Sequence, residues 1–183
     1  TLEATIEMLQ QTGLVTEVDE DTVARGAGRP ARSYRFLAEA EVLVGVQIAA
    51  YGAFALATDL NGAVLGKSVQ PVKSTASRRV RMSALFTAID RALASANVER
   101  SRIRRVAIGT PGIVDGRGFV ASCTALPEWS EFDLAGAVAS VLGRPVTVDN
   151  DTNLSAIGER WLGSGAGYDN TIWLLTGRRT SMG

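Results

Sequence analysis

Residues 42–72 read VLVGVQIAAYGAFALATDLNGAVLGKSVQPV, and this stretch decides the fold of most of the chain. It is divided at Gly52 and at the dipeptide Asn61-Gly62, which is a strong signal for a tight turn between antiparallel strands. The predicted strands cover residues 42–51, 53–59 and 64–72. The longest apolar run is too short for a bilayer and is interrupted by Gln47, so we expect no membrane partner.

Helices and strands alternate downstream of this stretch. Residues 77–97 predict a helix whose apolar residues share one face and whose arginines point outward. The apolar face contains Met82, Leu85, Phe86, Ile89 and Leu93. Further strands are predicted at 103–109, 146–149 and 171–175, and further helices at 133–142 and 152–162. This order predicts an α/β fold with a mixed sheet covered by helices.

Upstream, residues 1–11 predict a helix with Gly13 at its C-terminal end. Strand-like runs at 14–18 and 31–37 predict a hairpin with a basic tip. A helix followed by such a hairpin is typical of the second half of a winged helix, in which the helix enters the major groove of DNA. A small α/β appendage with solvated arginines fits the pattern equally well, so both alternatives stay open.

The candidate DNA contacts lie in this helix and in the hairpin. Residues 1–24 carry six acidic and no basic side chains, whereas residues 25–35 carry four arginines and no acid. Because carboxylates repel phosphate, we expect the basic tip near the DNA backbone and regard the helix as a weak reader of bases. The candidates are Thr1, Glu3, Ala4, Arg25, Arg29 and Arg32.

The composition narrows the possible chemistry. The chain has 183 residues, with 19 basic and 19 acidic side chains, no His and one Cys. These residues cannot build a Ser-His-Asp triad, a His-ligated metal site or an intramolecular disulfide, and we expect no bound metal. Cys123, Trp129 and Trp161 are predicted to be packing residues. A lone Cys and no visible secretory signal favour the cytoplasm.

Two loops that follow predicted strands are candidate ligand sites, because ligands of α/β sheets bind at the carboxyl ends of the strands. The first loop is Gly109-Thr110-Pro111-Gly112. Glycine lets the backbone approach a ligand closely, so Gly112 is a candidate ligand contact. A plain tight turn explains the same four residues.

The second loop is Asp149-Asn150-Asp151-Thr152-Asn153, between a strand and a helix. Its amide and carboxylate groups can hydrogen-bond the hydroxyls of a polyol, and a carboxylate there can act as a general base toward a hydroxyl. Helix capping is the structural alternative, and it explains one such residue but does not require them all.

Three blocks between residues 106 and 163 read IGTPGIVDGRGFV, SCTALPEWSEFDL and LGRPVTVDNDTNLSAIGERWLG. Together they resemble the ROK family of sugar kinases and sugar-responsive repressors. The segments TLEATIEMLQQTGLV and GAGRPARSYRF resemble the recognition helix and the wing of its regulator branch. The resemblance implies an actin- and hexokinase-like (ribonuclease H-like) lobe over residues 40–183, preceded by a partial winged helix over residues 1–38.

The resemblance also implies a sugar site. The adjacent Asn and Asp that bind sugar hydroxyls in the family match Asn150 and Asp151, and Asp151 holds the position of the catalytic base in kinase members. Gly112 belongs to the same predicted site. The Asn that usually precedes Leu-Pro in the middle block is replaced by Ala125.

The phosphate-binding loops depart from the kinase pattern. Kinase members carry Asp-x-Gly-Gly-Thr-Lys, which here reads Gln47-Ile48-Ala49-Ala50-Tyr51-Gly52. An amide replaces the carboxylate that organises a metal-bound nucleotide, and two glycines have gained methyl groups. The second loop, at 177–183, keeps only its outer glycines. We therefore treat Gln47, Ala49 and Ala50 as a degraded phosphate loop, and expect neither a nucleotide cofactor nor a catalytic residue.

The sequence thus predicts a sugar-responsive transcriptional regulator without kinase activity. Its partners would be operator DNA and a sugar or sugar-phosphate effector, and the intact protein is expected to be a homodimer. The resemblance implies a fragment that lacks the first helices of the winged helix and the second lobe, with the family's zinc motif beyond residue 183. The alternative function is that of an ATP-dependent hexose kinase. A third possibility is a remnant that binds DNA but no sugar.

Overall fold

The computed structural model describes residues 2–18, 32–176 and 181–183. Its helices are α1 (Leu2–Gln11), α2 (Arg78–Ser95), α3 (Leu134–Leu142) and α4 (Asp151–Leu162). Its longer strands are β1 (Val15–Val18), β2 (Ser33–Phe36), β3 (Val42–Ala49), β4 (Gly52–Thr58), β5 (Val64–Pro71), β6 (Ile103–Thr110), β8 (Phe119–Ser122) and β10 (Val146–Asn150). Two-residue strands are β7 (Ile113–Val114), β9 (Phe132–Asp133), β11 (Leu174–Leu175) and β12 (Ser181–Met182). Single turns of 3₁₀ helix cover Ala38–Ala40 and Arg100–Arg102.

A five-stranded mixed sheet in the order β10-β6-β3-β4-β5 forms the centre of the lobe. Strands β10, β6 and β3 are parallel, whereas β3, β4 and β5 are antiparallel neighbours, which confirms the predicted opening strands. The predicted turn at Asn61-Gly62 is also confirmed, with Gly62 at φ 84°. The Asp59 carboxylate accepts hydrogen bonds from the backbone N–H groups of Asn61 and Ala63, which holds this turn in one conformation.

Helix α2 packs against one face of this sheet. The alternating residues of β3 that face it are buried, as are Leu85, Ile89 and Leu93 on the helix. Burial of each such side chain contributes about 1.5–3 kcal/mol. Gly66 of β5 permits the close approach, because a Cβ atom there would lie 2.3 Å from the carbonyl oxygen of Ala92. The packing explains why the helix and strands are so clearly patterned in the sequence.

The prediction that the arginines of α2 point outward is wrong for Arg81. This side chain is only 1% exposed and lies on the buried face of the helix. Its position, one turn before Leu85, places it in the apolar stripe by helical spacing. Backbone carbonyl oxygens surround the guanidinium and replace the water that an outward arginine would have.

Short strands differ most from the prediction. The strand predicted at 171–175 is reduced to β11, which pairs with β12 and not with the central sheet. Strands β7, β8 and β9 form a small antiparallel sheet that was not predicted, because two to four residues are too few to show a period. Trp129 is fully buried, as expected, whereas Trp161 is 64% exposed, with the edge of its ring beside Gly62.

Helix α1 and the β1–β2 hairpin have the predicted form. Gly13 follows the helix at φ 74°, and the two strands pair antiparallel with Val15 opposite Phe36. The winged-helix assignment and the boundary between residues 38 and 40 stay predictions. Among the described residues, the structure contains no helix that is both long and apolar enough to cross a membrane.

Candidate functional site

The carboxyl ends of three parallel strands meet at one edge of the central sheet. Asn150 of β10 lies opposite Thr110 of β6, and Gly109 lies opposite Gln47 of β3. A cleft of about 640 Å³ opens at this edge. Its lining includes Gln47, Ala49, Ala50, Ala125, Leu126 and Asp151. Asp151 and the three predicted phosphate-loop residues therefore border one cavity, whereas the other predicted sugar residues, Asn150 and Gly112, are not among the residues that line it.

Asp151 is the acidic group of this cleft. It is the first residue of α4 and is 5% exposed, and it is the single charged residue among the described residues that line the cavity. The N-terminus of a helix favours a negative charge, because the first backbone N–H groups point out of the helix. A carboxylate held there is a good acceptor for hydroxyl groups of a bound ligand.

Asn150 has a structural role that the capping alternative predicted. Its Oδ1 atom accepts hydrogen bonds from the backbone N–H groups of Thr152 (2.8 Å) and Asn153 (3.4 Å), and it caps α4. The hydroxyl of Thr152 donates to the same atom. Its Nδ2 atom donates to the carbonyl oxygen of Gly112 at 2.8 Å. Asn150 thus ties the two candidate loops together, and its contact with a sugar stays a prediction.

The loop before β7 is tightly packed. Gly112 has φ 114°, and a Cβ atom there would lie 2.5 Å from the carbonyl oxygen of Ser122. Only glycine fits this combination of conformation and contact. The Thr110 hydroxyl is buried and accepts a hydrogen bond from Nε1 of Trp129 at 2.8 Å. Contacts between this loop and other residues of the chain therefore fix the shape of this cleft wall.

Arg81 contacts the predicted degraded phosphate loop through backbone carbonyl oxygens. Its Nη1 atom donates to the carbonyl oxygens of Ala49 (2.9 Å) and Ala50 (3.2 Å), and its Nη2 atom donates to that of Ser74 (2.7 Å). Burial lowers the pKa of Arg81, an effect that neighbouring Cys123 opposes. The guanidinium thus fixes the β3–β4 turn against the segment that precedes α2.

Sequence reasoning missed Arg81 because it assigned every arginine of α2 to the solvent side. The available signal was helical spacing, since residues 81, 85 and 89 fall on one face. Ser74 also borders the cleft and was not predicted, because it reaches the cleft only through the tertiary fold. Leu175 borders the cleft just before the predicted second phosphate loop at 177–183, of which residues 177–180 lie outside the described residues.

The predicted DNA contacts are only partly within the described residues. Thr1, Arg25 and Arg29 lie outside them. Glu3 and Ala4 are exposed on α1. Arg32 lies beside the hairpin, 3.7 Å from the carboxylate of Glu17. A hydrogen bond with Tyr34 and then the charge of Glu17 raise the pKa of Arg32.

Within residues 2–18, 32–176 and 181–183, no three His, Cys, Asp or Glu side chains come together as a metal site would require. The described lining of the cleft offers amide, hydroxyl and carboxylate groups for hydrogen bonding.

Comparison with known proteins adds independent information. The model of the ROK family matches residues 44–183. A putative xylose repressor from Caldicellulosiruptor sp. (strain Rt8B.4) is 23% identical over 136 residues, which cover 74% of this chain and 34% of the relative. A glucokinase from Thermotoga maritima is 36% identical over 73 residues, which cover 39% of this chain and 23% of the relative. These matches span about a third or less of the length of those relatives.

Solved structures share the architecture. The ROK hexokinase from Thermus thermophilus superposes with a TM-score of 0.66 at 27% identity, over 78% of this chain and 46% of that one. A ROK family transcriptional regulator, described as a homolog of the E. coli MLC protein, superposes with a TM-score of 0.75 over 99% of this chain and 45% of that one. At 19% identity, the second likeness shows the fold alone.

Proposed function

This chain belongs to the ROK family and has its hexokinase-like fold, and from that premise we propose that it is part of a sugar-responsive transcriptional regulator. The proposed regulator binds operator DNA through the winged helix to which α1 and the β1–β2 hairpin contribute. Its lobe senses a sugar or sugar phosphate in the cleft at the carboxyl edge of the central sheet. The xylose repressor relatives support this proposal.

One observation carries the proposal. Asp151, suited to bind hydroxyl groups, lines the same cleft as Gln47, Ala49 and Ala50, where a kinase would hold nucleotide phosphates. The cleft therefore has an acceptor for the hydroxyls of a polyol, whereas its phosphate-loop residues differ from those of kinase members. Such a site is expected to bind a sugar without transferring a phosphoryl group to it.

A magnesium nucleotide does not fit the phosphate side of the cleft. Phosphate loops offer backbone N–H groups and close approach, which glycine permits. Here Ala49 and Ala50 carry methyl groups, and their carbonyl oxygens accept hydrogen bonds from Arg81. Gln47 supplies a neutral amide where kinase members have a carboxylate.

The proposed mechanism is thermodynamic linkage between sugar and DNA. Hydroxyl groups of the sugar donate hydrogen bonds to Asp151, and the bound sugar favours one arrangement of the lobes. In a homodimer, that arrangement changes the spacing of the two DNA-binding arms and therefore the affinity for the operator. Coupling of this kind typically changes affinity by about 5- to 150-fold.

The test is the operator affinity of the intact protein, measured with and without each sugar of a pentose and hexose panel. Asp151→Ala is expected to lose the sugar-dependent change in affinity while sugar-free DNA binding stays nearly the same. Asp169→Ala, which removes an exposed carboxylate outside the cleft, is the matched control and should respond like the wild type. An unchanged sugar response in Asp151→Ala would reject the sensor role of the cleft.

An ATP-dependent hexose kinase is the second candidate function. The glucokinase from Thermotoga maritima favours it, as does Asp151 at the position of the kinase base in the cleft. A coupled assay for ADP release over a hexose panel separates the two functions. Sugar-dependent ADP release by the intact protein, lost in Asp151→Ala, would establish the kinase and overturn the non-enzymatic proposal.

A further inference from the structure

A second cavity lies at the opposite edge of the central sheet, where β6 and β10 begin. This groove of about 420 Å³ is lined by four arginines: Arg102, Arg104, Arg105 and Arg144. Three of them come from the sequence Arg100-Ser101-Arg102-Ile103-Arg104-Arg105, which leads into β6. The only carboxylate among its described lining residues belongs to Glu41. We refer to this cavity as the arginine groove.

The charge of the arginine groove is only partly neutralised by its surroundings. Arg104 forms an ion pair with Glu41 at 3.2 Å. Arg144 donates to the backbone carbonyl oxygen of Ser101 at 2.6 Å, and Arg102 donates to that of Glu39. Carbonyl oxygens orient a guanidinium but remove none of its net charge. Four cations therefore face one carboxylate, which is a suitable arrangement for an anion with several phosphate groups.

Contacts connect the arginine groove to the hairpin of the proposed DNA-binding arm. The 3₁₀ turn Ala38–Ala40 links β2 to β3, and two groove residues, Ala40 and Glu41, lie at its end. Arg35 of β2 pairs with Glu39 of this turn at 3.4 Å, and Arg102 donates to the carbonyl oxygen of the same Glu39. Arg35 of the hairpin and Arg102 of the arginine groove thus contact the same residue of this turn.

We propose that the arginine groove is a second DNA contact, in which the lobe binds phosphates of the duplex backbone beside the site that the winged helix occupies. This inference rests on the proposed function. An extended duplex backbone is favoured over a small free anion because the arginines are spread along an open groove. Arg104, for example, has a side chain that is 63% exposed. Contacts of this type position a protein on DNA and carry no sequence information.

The test is the salt dependence of DNA binding by the intact protein, with a duplex selected by that protein from a random-sequence library. Each phosphate contact lowers log K by about 0.9 per unit of log salt concentration. Arg104→Gln/Arg105→Gln is expected to flatten this slope by about 1 to 2 and to weaken selected and unselected duplexes by the same factor. Lys67→Gln/Arg79→Gln removes two exposed cations elsewhere on the lobe and should leave the slope unchanged.

The outcomes separate the inference from the proposed function. If the intact protein binds no duplex, the proposed function fails and the inference fails with it. If it binds DNA but the groove variant keeps the wild-type slope, the inference is overturned and the proposed function stands. If inorganic phosphate binds the wild type but not the variant while the DNA slope is unchanged, the groove is a small-anion site, which also overturns the inference.

Folding of the variants is checked by their thermal unfolding midpoints. Should the double variant unfold, Arg105→Gln alone carries the test, because Arg105 is exposed and its loss is expected to flatten the slope by about 0.9. Arg104→Lys/Arg105→Lys keeps both charges and should restore most of the slope. If the salt slope changes with the unfolding midpoints of the variants and not with their charge, the inference is overturned.

Discussion

Arg81 carries a buried positive charge, and its guanidinium donates to backbone carbonyl oxygens of the two segments that border the cleft. Without it, the carbonyl oxygens of Ala49, Ala50 and Ser74 would lose these partners. A buried acceptor left without a partner costs about 1–3 kcal/mol. Arg81 is therefore a residue on which the shape of the cleft depends.

We predict that Arg81→Met lowers the free energy of unfolding by about 2–4 kcal/mol, because several carbonyl oxygens lose their donor at once. Urea denaturation monitored by circular dichroism measures the change. Arg79→Met on the exposed face of the same helix is the control and should shift stability by less than about 0.5 kcal/mol. Equal stability of the two variants would show that the buried guanidinium contributes nothing.

The carboxylate of Asp115 leads to a prediction about the stability of the protein at acid pH. Hydrogen bonds from the backbone N–H groups of Phe119 and then Arg117 hold the pKa of Asp115 below its usual value. Because the folded-state pKa is the lower one, this carboxylate stabilises the protein above its unfolded pKa of about 4. The contribution is lost as the pH falls through the folded-state pKa. Asp115→Asn should therefore show a flatter loss of thermal midpoint below pH 4 than the wild type.

The control for this pH dependence is Asp169→Asn, which removes a carboxylate in an exposed segment. It should keep the acid dependence of the wild type when midpoints are measured between about pH 2 and pH 6. An identical acid dependence in Asp115→Asn would contradict the role assigned to the turn between β7 and β8.

Individual residues of the site were predictable to different degrees. The Asn150-Asp151 doublet stands out in sequence because several polar groups follow an apolar strand, and the structure brings Asp151 to the cleft. Helix capping explains the presence of Asn150, because its side-chain amide forms hydrogen bonds within the chain. Arg81 escaped prediction because hydropathy treats arginine as polar, whereas backbone carbonyl oxygens accept hydrogen bonds from both of its Nη atoms inside the protein.

At the scale of elements, the loop between β6 and β7 tests the geometry of the cleft wall. Gly112→Ala is expected to destabilise the protein by about 2–4 kcal/mol, because the conformation at φ 114° is strained for alanine and its Cβ would overlap the carbonyl oxygen of Ser122. Chemical denaturation measures this effect.

Gly116→Ala is the matched control, since a Cβ atom there would meet open space and its φ lies outside the left-handed region. It should be neutral or slightly stabilising. Similar stabilities for the two alanine variants would mean that the loop relaxes freely and does not define the cleft wall.

Long elements were predictable from their periods, and short ones were not. Strands β3 and β4 and helix α2 bury regular faces over seven or more residues, so their patterns are clear. The small sheet of β7, β8 and β9 depends on its packing against the lobe, for example around the fully buried Trp129. Strand β11 pairs only through its contact with β12, a partner that local patterns do not specify.

At the scale of the whole molecule, the two proposed binding sites lie at opposite edges of one sheet. The sugar cleft is at the carboxyl ends of β3, β6 and β10, and the arginine groove is where β6 and β10 begin. Strand β6 has eight residues, which corresponds to a separation of about 25 Å. In the proposed function, a bound sugar would therefore influence DNA through movement of whole elements, as in linkage through lobe arrangement.

The most direct test of the central claim, that the cleft binds a sugar and not a nucleotide, is isothermal titration calorimetry of the intact protein. A pentose and hexose panel is titrated first, and magnesium-ATP is then added with the sugar bound. We predict saturable heat from at least one sugar, its loss in Asp151→Ala but not in Asp169→Ala, and no heat from magnesium-ATP. Saturable binding of magnesium-ATP, or no heat from any sugar, would contradict the account.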